Sequence, residues 1–126
     1  MHYTIQIMKT IFILVSFSFF FLHSYGQSFV SPIGFVENEV NKQNVIEFIK
    51  KQVKQDYSAI GMGDPSTLRM MESENLKAFK ELIKVTNTSL LKEVIDKYCG
   101  IGMCNYTTIW MMYKEQEKAS QKSLQW

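Results

Sequence analysis

Histidine is scarce in this chain, and its two copies, His2 and His23, both stand before residue 24. From Gln27 to Trp126 every device built on imidazole is therefore missing: Ser-His-Asp and Cys-His nucleophile systems, His-ligated zinc and c-type haem. Histidine is also the commonest general acid–base near neutral pH. Catalysis would have to rest on carboxylates, lysine, tyrosine or cysteine alone.

A charge excess is lacking too. Lys and Arg number 14 against 12 Asp and Glu, a net charge of +2 that falls to +1 once Lys9 is set aside. Such a balance gives no electrostatic reason to expect nucleic acid or an anionic membrane as partner. Nor is there a run of membrane-spanning length. The stretch IFILVSFSFFFL, Ile11 to Leu22, falls short of the ~20 residues a spanning helix needs. It follows Lys9 and precedes Ser24 and Gly26, small residues at the −3 and −1 positions of a cleavage site. The pattern is that of a secretory signal peptide over residues 1–26, cut after Gly26. It predicts export to the periplasm or the extracellular space, with no lasting membrane anchor.

Period-two alternation, the mark of a half-buried strand, is not sustained anywhere, whereas helical spacing recurs. Val45, Ile49, Val53 and Tyr57 form an apolar stripe within a helix predicted over 37–57. GMGDP, Gly61 to Pro65, ends it: Asp64 suits an N-cap and Pro65 a first helical position. A second helix is predicted over 65–85, although the polar MESEN (71–75) allows it to split in two. TNTS (86–89) is a capping run before a third helix, LLKEVIDKYC, and Gly100 stands where a left-handed terminus is wanted. Asn105 suits the N-cap of a fourth helix, which turns polar from about 114, as a solvated helix end or disordered tail. Residues 27–36, with Pro32 and Gly34, read as a lead-in lying on the surface or as a frayed end. A loose echo links Asn44-Val45-x-x-Phe48, Asn75-Leu76-x-x-Phe79 and Asn105-Tyr106-x-x-Ile109. The expected fold is all-α: a single domain over 37–126 with three to five helices joined by short turns.

Cysteine occurs twice, in YCGIGMCNY, Tyr98 to Tyr106. In an exported chain Cys99 and Cys104 are expected to form a disulfide, provided the intervening glycines break the helix. The alternative is soft-metal chemistry, with Cys99, Met103 and Cys104 as a thiolate–thioether set for Cu(I). A redox pair is a poorer fit, because the gap is four residues and Cys99 ends a helix. An intermolecular bridge also remains open. Acidic pairs such as Glu72 and Glu74 diverge on a helix and look solvated. GMGDPSTLR lacks the ending of a nucleotide loop. Tyr106, Ile109, Trp110, Met111 and Tyr113 make a broad apolar band that serves the core and leaves a face for a partner. The expected function is non-catalytic binding of a protein partner in the cell envelope, with no cofactor.

Overall fold

Among the described residues, four helices begin where an Asn or Asp stands ready to take up a free backbone amide. They are α1 (Glu39–Ser58), α2 (Pro65–Leu82), α3 (Thr88–Gly100) and α4 (Tyr106–Ser120). The computed structural model describes residues 28–126, so the predicted leader lies outside the described residues. The caps Asn38, Asp64, Asn87 and Asn105 accept from the amides of Asn41, Thr67, Leu90 and Thr108. Each such bond satisfies a donor the helix cannot, and typically stabilises by about 1 kcal/mol. Among the described residues there is no strand, and no helix is long and apolar enough to cross a membrane.

The polar MESEN stretch does not split α2. Arg69 pairs with Glu72 at 2.7 Å and Lys77 with Glu74 at 2.6 Å, so both carboxylates are neutralised within the helix, although Glu72 is largely covered instead of solvated. Helix α4 likewise runs past the point where the sequence turns polar. Tyr113 Oη donates to Glu117 at 2.9 Å, and Ser120 Oγ donates to the Glu117 carbonyl at 2.7 Å.

Helix α2 packs against α1 and α4, and α4 also packs against α3. Apolar residues of all four helices merge into one core. Its centre is Tyr106, which has no solvent exposure. The ring centroid lies 4.8 Å from that of Phe79 and 5.4 Å from those of Phe48 and Phe29. The hydroxyl donates to the Val30 carbonyl at 2.8 Å. Such aromatic contacts add to the gain from burying the ring area itself.

The lead-in therefore does more than lie on the surface. Phe29 enters the aromatic cluster, Pro32 is buried, and Gly34 turns the chain at φ 69°. That turn brings Phe35 edge-on to Phe79 at 4.9 Å. A second tie joins α2 to the start of α4. Buried Asn75 donates from Nδ2 to the Met71 carbonyl at 3.0 Å and accepts from the Thr107 amide at 3.3 Å. The asparagines of the sequence echo thus have unrelated roles, since Asn44 is exposed and Asn105 is a cap.

Candidate functional site

The end of α3 is closed by Gly102, not by Gly100, which is still helical. Gly102 adopts φ 81°. The Met103 amide then donates to the Tyr98 carbonyl at 2.9 Å, and the Gly102 amide to the Cys99 carbonyl at 3.3 Å. This paired pattern around a left-handed glycine is the Schellman helix terminus. It reverses the chain tightly enough to bring the Cα atoms of Cys99 and Cys104 to 4.1 Å, and the two form a disulfide. A bonded pair offers no thiolate, so Cys99, Met103 and Cys104 do not make up a Cu(I) ligand set in this form. Free cysteines are absent among the described residues.

The five residues of the expected contact band separate. Tyr106, Ile109 and Tyr113 are buried in the core and present nothing to a partner. Trp110 is half-buried, stacked on Tyr113 at 6.0 Å with Lys114 Nζ 5.1 Å from its ring. Only Met111 stands open, 52% exposed. The reason is that α4 lies between α2 and α3, so most of its circumference is covered. Burial pushes the Tyr106 phenol far above its ordinary value. Burial, followed by the bond to Glu117, raises that of Tyr113.

The corner between α1 and α2 repeats the geometry of the α3–α4 corner. Gly61 adopts φ 76°. The Met62 amide donates to the Tyr57 carbonyl at 2.9 Å, and the Gly61 amide to the Ser58 carbonyl at 3.2 Å. In sequence, YSAIGMGD (57–64) matches YCGIGMCN (98–105) in Tyr, Ile, Gly, Met and a closing Asp or Asn cap. The match continues at the same offset through Thr67 and Thr108, Leu68 and Ile109, and Met71 and Met112. Ser58 and Gly63 occupy the places of Cys99 and Cys104. A Cβ built on Gly63 would lie 3.4 Å from Ser58 Cβ.

Both corners expose the same two apolar side chains. Ile60 is 66% exposed and Ile101 65%; Met62 is 46% exposed and Met103 44%. Sequence reasoning passed over this surface, although the I-G-M triplet after a helical tyrosine occurs twice and was the signal that could have revealed it. Clusters of three or more His, Cys, Asp or Glu able to hold a metal are absent among the described residues. No protein-family model, curated protein or solved structure matches this chain.

Proposed function

We propose that this chain is an exported, non-catalytic interaction module of the cell envelope, which contacts a protein partner through its two helix-hairpin corners. The observation that carries the reading is the matched exposure of Ile60 with Met62 and Ile101 with Met103. Closing a Schellman turn requires the glycine, and the following methionine can pack on the tyrosine. It does not require an open isoleucine, yet both corners have one. Exposed apolar groups on a loop fixed by capping, and at one corner by a disulfide, are already ordered for binding. That lowers the entropy cost of association. Met111 on α4 adds further open apolar surface.

Site-specific photo-crosslinking in the producing cell tests this. A crosslinker at position 60 or 101 is expected to capture one and the same protein, while exposed Lys51 captures none. Identical products from all three positions would sink the reading. Export is checked by intact mass, which should begin at Gln27 and take up two thiol labels only after reduction.

A further inference from the structure

A groove of about 540 Å³ lies among the segment 35–37, the first half of α1 and the end of α2. Pockets of this volume are typical of small-molecule sites. Its floor is buried Val45 and Phe79, and half-buried Phe35, Ile46, Leu76 and Ile83 form apolar walls. Every other lining side chain is a lysine or a glutamate, so the polar groups of the groove are charged side chains set around an apolar slot.

Both glutamates of the rim are taken up by lysines, and Lys42 also meets Glu39 at 3.4 Å. Glu37 is held by Lys42 at 3.1 Å and Glu81 by Lys84 at 2.8 Å. Lys77 pairs with Glu74 at 2.6 Å. Lys80 also lines the groove and has no ion pair among the described residues. One unpaired ammonium beside an apolar slot complements one terminal carboxylate on an alkyl chain. We propose that this groove binds a single-chain fatty carboxylate, its tail between Ile46 and Leu76 and its head on Lys80. Neither hairpin corner lines the groove, so the site is independent of the interaction surface.

Calorimetric titration of the mature chain with decanoate, below its micelle concentration, tests the assignment. Saturable one-to-one binding is expected, with none for acetate, which lacks the tail, or for decyltrimethylammonium, which carries the wrong charge. Lys80→Glu is expected to weaken decanoate binding by at least about tenfold. Because Lys80 is exposed and unpaired, its helical circular dichroism should stay unchanged. Ile46→Glu should weaken binding through the tail contact. Absence of decanoate binding by the native chain would overturn the proposal. So would equal affinity for decyltrimethylammonium, or undiminished affinity in a folded Lys80→Glu variant.

Discussion

Replacing Tyr106 with phenylalanine isolates one hydrogen bond at the centre of the core. The ring keeps its contacts with Phe29, Phe48 and Phe79, and only the hydroxyl that donates to Val30 is lost. A neutral hydrogen bond contributes about 0.5–1.5 kcal/mol net, and an acceptor left dry costs about 1–3 kcal/mol. Val30 is half-buried, so its carbonyl recovers part of its hydration. The expected loss is about 1–2 kcal/mol, the lower half of that span. For a domain of this size it lowers Tm by about 4–8 °C per kcal/mol. Urea melts give the free energy directly, and an unchanged slope would show that the same surface is exposed on unfolding. Amide exchange supplies an independent reading: the Phe35 amide, which donates to Pro32 at 3.4 Å, should exchange faster once the lead-in is untied. A variant as stable as the native chain, with the lead-in equally protected, would refute the placement of Tyr106 as the anchor of residues 28–36.

Three other expectations follow from the structure. Tyr106 and Tyr113 both have phenols raised above 10.0. Above about pH 10 the unfolded chain sheds protons that the native state retains, so stability falls as pH rises. For Tyr106 the slope approaches about 1.4 kcal/mol per pH unit. Denaturant melts between pH 8 and 11 check this, and Tyr106→Phe should flatten the slope. The disulfide spans a sequence separation of 5, a ring short enough to contribute only about 2 kcal/mol by chain entropy. The double change Cys99→Ser and Cys104→Ser should cost that much, and Ser58→Cys with Gly63→Cys should form a second bridge at the other corner. Failure of the new pair to oxidise, read by thiol labelling, would disprove the equivalence of the corners.

The all-helical class, expected with three to five helices, and the turn chemistry were legible because they depend on neighbours in sequence. Asp64 before Pro65 and Asn105 before Tyr106 announce their helices by local hydrogen bonding alone. The choice between Gly100 and Gly102 was not, since both are glycines after a helical stripe and only the closing bonds to Tyr98 and Cys99 decide. The expected pairing of Cys99 with Cys104 is the pairing found. How the band on α4 divides between core and surface was not legible, for a different reason. An apolar stripe shows which residues seek cover but not how many neighbours supply it, and α4 has two. Phe29 and Pro32 lie in a segment too short for any period, and their burial depends on Tyr106 far along the chain. Asn75 is polar on a helix face and looks solvated until Thr107 arrives opposite it.

The bond from Tyr106 to Val30 joins positions 76 residues apart, and that separation governs the order in which the molecule can be completed. Phe29, Phe48 and Phe79 all leave the ribosome before Tyr106 does. A nascent chain ending short of α4 holds three aromatic rings with nothing between them, and its first segment has no hydroxyl to fasten it. Native closure is thus deferred until the second hairpin has been made. Contacts of such long range slow folding, so the leading portion stays loose until most of the chain has been made.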